Sequence, residues 1–347
     1  MIAFTLAARL RAAAGASRYR FEGGFSSAKG EGMAARIPFR PSPAFESRRE
    51  MTIRTPWLGI LCGLLTAVIW GVQAVVSRHA MLTGLTPADV TILRFVTAAA
   101  VLLPWALRHM RPFPVGALGW RRAWVMALLV GPLYSLLLVG GTYFAPALHN
   151  SIISPGLIPV FTALLVYLVT GERAGRMRLI GLGIIVAGIA IFSRDALAMA
   201  SSRPDAWIGD LLFVLVAFLW SIFGLLARRW GASSLEITAT SCLLAVPLLA
   251  VIALALPVNM TRVPFAELLL QAFYQGVLVG VVALYLYART VATLGAARTT
   301  LFLPLVPIVT AAASALLLAE SPSPTELVGM AVVVMGMLVA FRSPSVG

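Results

Sequence analysis

The amino-acid sequence predicts an all-α integral membrane protein of ten transmembrane helices, arranged as two inverted five-helix repeats. Three observations predict it: ten apolar segments each long enough to cross a bilayer, arginines gathered in alternate connections, and a second half that echoes the first in order and spacing. Of the 347 residues 60% are hydrophobic and 12% charged, with a mean hydropathy of +0.93; soluble domains average roughly 45–50% and about 25%. A chain this apolar cannot bury its surface in one soluble core, so the bilayer must be part of its solvent. The net charge of +14 rests almost wholly on arginine. Those residues sit between apolar runs without interleaved aromatics, which excludes a nucleic-acid binder and makes them orientation signals.

Residues 1–50 stand apart. They carry Pro38, Pro41 and Pro43, nine basic residues against four acidic, and no apolar stretch long enough to span a bilayer. The arginine-rich start resembles a transit peptide, against which Glu22, Glu31 and Glu46 argue. The expectation is a disordered or over-extended leader, with biological translation beginning at Met51.

Apolar runs of about twenty residues then follow at 57–78, 87–107, 122–143, 148–169, 178–193, 208–228, 235–256, 267–288, 295–318 and 325–341. They lack strict alternation, and backbone groups in lipid must be satisfied within the segment, so they are helices rather than strands. Helix two opens on Thr86-Pro87-Ala88-Asp89, with a capping threonine, proline at the first helical position and an acid three residues after the cap. Ser323-Pro324-Thr325-Glu326 repeats this at helix ten, and Ser233-Ser234-Leu235-Glu236 repeats it without proline at helix seven.

Arg48, Arg49 and Arg54, then Arg108, Arg111, Arg121 and Arg122, then Arg173, Arg176 and Arg178, then Arg228, Arg229, Arg289, Arg298 and Arg342 all fall on one side if both termini are cytoplasmic. The other side holds only Arg78, Arg194, Arg203 and Arg262, diluted by Asp195, Asp205 and Asp210.

The duplication is read from ordered markers. Trp70 of helix one matches Trp220 of helix six, and Arg78 matches Arg228. IPVFTALLVYLVTGE, ending at Glu172, matches VPIVTAAASALLLAE, ending at Glu320, so that Pro159 pairs with Pro307 and Thr162 with Thr310. Gly181 and Gly188 match Gly329 and Gly336. Five helices per copy force the second copy to enter the membrane upside down, as in many secondary transporters whose site lies near the midplane between halves.

The two copies, 57–193 and 208–342, resemble the paired EamA domains of the drug/metabolite transporter superfamily. The resemblance rests on Trp70-Gly71, Leu93-Arg94-Phe95, the run at 159–165 with Gly171-Glu172-Arg173, and Leu294-Gly295-Ala296-Ala297-Arg298 leading to Pro307 and Ala319-Glu320; Ser321 stands where the first copy has Arg173. It implies a ten-helix carrier of a bacterial inner membrane with both termini inside, and export rather than import. It names no substrate, because such carriers span amino acids, sugars, nucleotide precursors and drugs.

Candidate substrate-binding residues come from polar and aromatic groups at membrane depth. Thr66, Trp70, Gln73 and Ser77 share a face of helix one. They line either a cavity or a hydrogen-bonded helix contact worth ~0.6–2 kcal/mol, with Trp70 and Gln73 the cavity candidates. Arg94 lies about two turns into helix two, where a central arginine costs about 2.5–3.5 kcal/mol on insertion scales. It is an anion clamp or gate partner, or it snorkels. Matched prolines, Pro155 and Pro159 in helix four and Pro304 and Pro307 in helix nine, should interrupt both helices at corresponding places. Asn150, Ser151 and Ser154 precede the first interruption, and Arg298, Thr299 and Thr300 the second. His149, at the start of helix four, could titrate near neutral pH, but a lone histidine at a helix start is more often a loop residue. Tyr134 marks the middle of helix three. Tyr274 and Tyr285, eleven apart, should share a face of helix eight, and Trp220 completes the aromatic set; such walls suit apolar or cationic molecules. Gly59/Gly63 and Gly276/Gly280 read as packing faces, and Cys62 and Cys242 as small apolar residues.

A P-loop is absent from the sequence, so energy, if needed, must come from an ion or substrate gradient, and facilitated exchange stays open. The three histidines, His79, His109 and His149, sit near different helix ends, there is no HExxH, and no metal or cofactor is expected. The expected function is a secondary transporter working by alternating access, an exporter or exchanger of a small metabolite or drug-like molecule. A membrane-embedded enzyme and a non-transporting receptor or scaffold are the alternatives. The expected partners are a small-molecule substrate and the lipid bilayer, with a homodimer left open.

Overall fold

The computed structural model describes residues 56–198, 205–231 and 233–342; the leader expected at 1–50 lies outside them. Among the described residues ten helices are long and apolar enough to cross a membrane. These are α1 Pro56–Leu82, α2 Pro87–His109, α3 Gly116–Phe144, α4 Ala147–Thr170, α5 Arg176–Arg194, α6 Ala206–Trp230, α7 Ser234–Ala255, α8 Phe265–Leu294, α9 Thr300–Leu317 and α10 Pro324–Phe341. Their outer faces keep large apolar side chains exposed, among them Leu64, Leu65 and Val68 of α1 and Leu211 and Leu215 of α6. Such faces are stable only against lipid.

The caps form as the sequence chemistry demands. The Thr86 hydroxyl accepts from the Asp89 N–H while the Asp89 carboxylate accepts from the Thr86 N–H. Ser233 caps α7 through the Glu236 N–H, and Ser323 with Glu326 closes a reciprocal box on α10.

Three helices depart from the regular form. Within α3 the helix breaks at Gly131, because Pro132 has no N–H to donate and restricts the residue before it. Residues Ala272–Val282 of α8 form a π-helix. α9 begins as a broken stretch, Thr300–Phe302, and becomes regular only from Leu305, just past Pro304. The interruption expected in α4 is not there: the helix runs from Ala147 to Thr170 straight through Pro155 and Pro159. Pro159 and its partner Pro307 thus both sit inside regular helix, and only the stretch up to Pro304 of α9 is irregular.

The helices pack chiefly across the repeats. α1 lies against α8 and α9, and α6 against α3 and α4; α2 lies against α7 and α8, and α7 against α2 and α3. Exchanging the copies maps each contact onto another, so the molecule has an approximate two-fold organisation. The most extensive pair is α5 with α10. Its glycines are those matched in sequence: a Cβ on Gly188 would fall 2.7 Å from the Val333 amide nitrogen, and one on Gly336 2.7 Å from that of Ile185. The four helices α4, α5, α9 and α10 share a core of Ile152, Ile185, Phe192, Ala311, Val333 and Met337.

Connections alternate between two ends. One carries the arginine-rich turns; the other carries the acidic helix starts and is here called the sealed end.

Candidate functional site: two aromatic pairs, one arginine and a sealed end

The interior between the repeats is built around two equivalent aromatic pairs. Trp70 of α1 meets Tyr287 of α8 with ring centroids 5.4 Å apart, and Trp220 of α6 meets Tyr134 of α3 at 5.5 Å. Each pair takes its tryptophan from the first helix of one repeat and its tyrosine from the third helix of the other. All four side chains are partly exposed, and neither their indole N–H nor their hydroxyl groups bond another described residue. Gln73, one turn beyond Trp70, likewise leaves its amide without a described partner. Polar ends at this depth are costly unless a wet cavity or a bound molecule takes them up.

Arg94 stands beside the second pair. Tyr134 and Cys242 are the titratable side chains that act on it electrostatically. Its Nη1 is sealed off and has no hydrogen-bond partner, and its guanidinium lies 5.8 Å from the Phe95 ring centroid. The four ion pairs of the described residues all lie elsewhere.

Other sequence candidates separate by role. Thr66 bonds back to the Cys62 carbonyl at 2.8 Å, and Ser77 accepts from the Gln275 amide at 2.9 Å. Asn150 and Ser154 are buried in the contact with α6, where the Ser154 hydroxyl reaches Asn150 Oδ1 at 3.1 Å and the Phe213 carbonyl at 3.3 Å. Tyr274 donates to the Ile69 carbonyl at 3.0 Å, joining α8 to α1. Arg298 is exposed, next to Thr299 of the lining near Trp70 and Tyr287.

Tyr285 does not face the interior. It is 54% exposed, and Tyr287, which sequence reasoning passed over, takes the place beside Trp70. The cause is the π segment: its wider turn advances fewer degrees per residue, so eleven residues from Tyr274 no longer return to the same face. The segment is pinned on both sides. Gln271 and Gln275 bond α1 at the Val76 carbonyl and Ser77, while Gly276 and Gly280 press on Thr97 and Ala98 of α2.

The two ends differ. At the sealed end Arg78 of α1 pairs with Glu320 at 3.1 Å and also donates to the Thr142 and Tyr143 carbonyls. The expectation of a loop histidine fails: His149 is 2% exposed, with Nδ1 2.7 Å from Asp210 of α6 and Nε2 3.3 Å from Glu326 of α10. Two carboxylates facing both ring nitrogens require one proton beyond a neutral imidazole with two carboxylates. Asp89 accepts from the Asn259 N–H, and Glu267 pairs with His79. The ion pairs and the Asp89–Asn259 bond join residues of different repeats, whereas the Arg78 bonds to Thr142 and Tyr143 lie within the first. Towards the arginine-rich end a narrow crevice lies between α1, α8 and α9, lined by Thr66, Trp70, Tyr287, Thr299, Phe302 and Val306. It reaches the first aromatic pair, not Arg94.

Ten spanning helices, a duplicated interior and a seal made between the duplicates define an internally repeated multi-pass membrane protein. The sequence profile of the EamA-like transporter family matches residues 57–194 and 207–342, and the chain belongs to that family. It is similar to the uncharacterized transporter YyaM of Bacillus subtilis (strain 168), at 22% identity over 213 residues, covering 59% of this chain and 68% of that one. A crystal structure of a protein given no more specific name shares the fold, with a TM-score of 0.57 and 20% identity over 81% of this chain and 96% of that one.

Proposed function

We propose that this transporter is a secondary carrier that exports or exchanges a small metabolite or drug-like molecule by alternating access. The two repeats, 57–193 and 208–342, rock about a substrate site near the midplane. The observation that carries the reading is the asymmetry of the interior: cross-repeat ion pairs tie one end together, while the crevice beside Trp70 and Tyr287 lies towards the other. A rigid scaffold gains nothing from such a seal, whereas a carrier must make and break one per cycle. The arginine-rich end faces the cytoplasm of a bacterial inner membrane, by the excess of arginine there. The kinship with a Bacillus subtilis transporter supports a transport role.

The test is uptake of a labelled panel of organic anions, cations, sugars and nucleosides by proteoliposomes holding the full chain. Saturable uptake of one class is expected. Trp70→Ala and Tyr287→Ala should lower it about tenfold, and Tyr285→Ala, on the outer face, should leave it intact. Folded protein that moves no panel member faster than bare liposomes would sink the proposal.

A further inference from the structure

We infer that the interior at Arg94 is an anion site, which takes the carboxylate of an organic monoanion whose ring body lies against Trp220 and Phe223. The inference rests on the carrier reading above and deepens it.

Arg94 is seven residues into α2, about 10 Å along the helix from its start. Its Nη1 is sealed from solvent without a hydrogen-bond partner, while the residue as a whole is half-buried. The guanidinium is not neutralised: each of the nine acidic residues after position 55 lies near a helix end, and none of the described ones pairs with it. A lone guanidinium at this depth is costly to hold, and its planar fork matches a carboxylate in two parallel hydrogen bonds. The aromatic wall continues from it. Tyr134 interacts with Arg94, Trp220 lies 5.5 Å from Tyr134, and Phe223 lies 5.2 Å from Trp220. The neighbouring ionisable groups, Tyr134 and Cys242, supply no negative charge comparable to a carboxylate.

The same geometry sets the selectivity. One unpaired cation takes one negative charge. A zwitterion such as an amino acid would bring an ammonium group beside a guanidinium with no described carboxylate to pair it, and for a cation the repulsion of the guanidinium opposes the attraction of the rings. The sequence-level expectation that aromatic walls favour cations is therefore reversed at this pair by its arginine.

The test uses three probes on one skeleton: phenylpropionate, phenylalanine and phenethylamine, repeated as indolepropionate, tryptophan and tryptamine. Binding to the full chain in detergent is read by calorimetry. At least one anion should bind about tenfold or more tighter than its zwitterion and its cation. Arg94→Gln should lose that preference, and Arg94→Lys should keep the sign with weaker affinity. Should Arg94→Gln not fold, the ranking of the three forms on the unsubstituted chain still decides. Equal or tighter binding of zwitterion or cation, an anion affinity indifferent to Arg94→Gln, or no binding of any probe by folded protein overturns the inference. Uptake by proteoliposomes separates the two readings. An anion bound selectively but not carried leaves the site standing and removes the carrier. Phenethylamine or phenylalanine carried in place of the anion does the reverse.

Discussion

At the scale of single residues, polar groups in the membrane divide into those the protein satisfies and those it leaves open. Thr66, Ser77, Ser154 and Tyr274 each find a partner: Thr66 bonds back within its own helix, and the other three join helices. Trp70, Gln73, Tyr134, Trp220 and Tyr287 find none among the described residues, which leaves them to water or to a substrate. His149 belongs to the first group and is the most demanding member of it. Removing the imidazole in His149→Ala leaves Asp210 and Glu326 facing each other across a buried gap. Breaking one partner of a buried ion pair costs roughly 3–5 kcal/mol. The carboxylates are 17% exposed, so the lower end applies. A clear fall in unfolding temperature of the detergent-purified protein is expected; an unchanged one would show that the cluster holds nothing together. The sequence could have hinted at this cluster only through the matching acids at helix starts, because a histidine's burial depends on residues 61 and 177 positions away.

At the scale of elements, two helices decide more than their composition announces. The π segment of α8 turns Tyr287 inward and Tyr285 outward, and it exists because that stretch is held by α1 on one side and α2 on the other. Periodicity read at the α-helical period must miss it. The α5–α10 pair shows the opposite case, in which matched glycines mark a close contact that the structure confirms. A side chain at Gly188 would press on the Val333 backbone, whereas one at Gly183 of the same helix meets nothing within 4 Å. Gly188→Leu should therefore destabilise by about 1–3 kcal/mol through overpacking, and Gly183→Leu should be close to silent, in parallel thermal unfolding of the two variants. Equal effects would mean that helix propensity rather than packing governs this pair.

At the scale of the whole molecule, the seal controls which end is open. Arg78 holds three groups at once, Glu320 and the two carbonyls of Thr142 and Tyr143, and so ties α1 to both repeats. Arg78→Gln removes the charge and should shift the population towards the form open at the sealed end. A loss of ~1 kcal/mol changes such a balance about fivefold. The readout is labelling of a cysteine placed at Thr66, in a background lacking Cys62 and Cys242, by an impermeant maleimide in vesicles of each orientation. Labelling from the sealed end should rise about fivefold or more with Arg78→Gln; no rise would show that this contact is structural and not a gate.

The sequence by itself determined the class, the ten spans, the helix caps, the duplication and the family, because apolar length, capping chemistry and repeated order are local properties of the chain. It also picked out Trp70, Trp220, Tyr134 and Arg94 as groups out of place in lipid. Only the tertiary structure decided that Tyr287 replaces Tyr285, that α4 runs through its prolines while α9 breaks, that His149 is an ion bridge, and that Arg94 has no counter-charge. Each of these depends on what a neighbouring helix presents across the repeat boundary, and no local period records it.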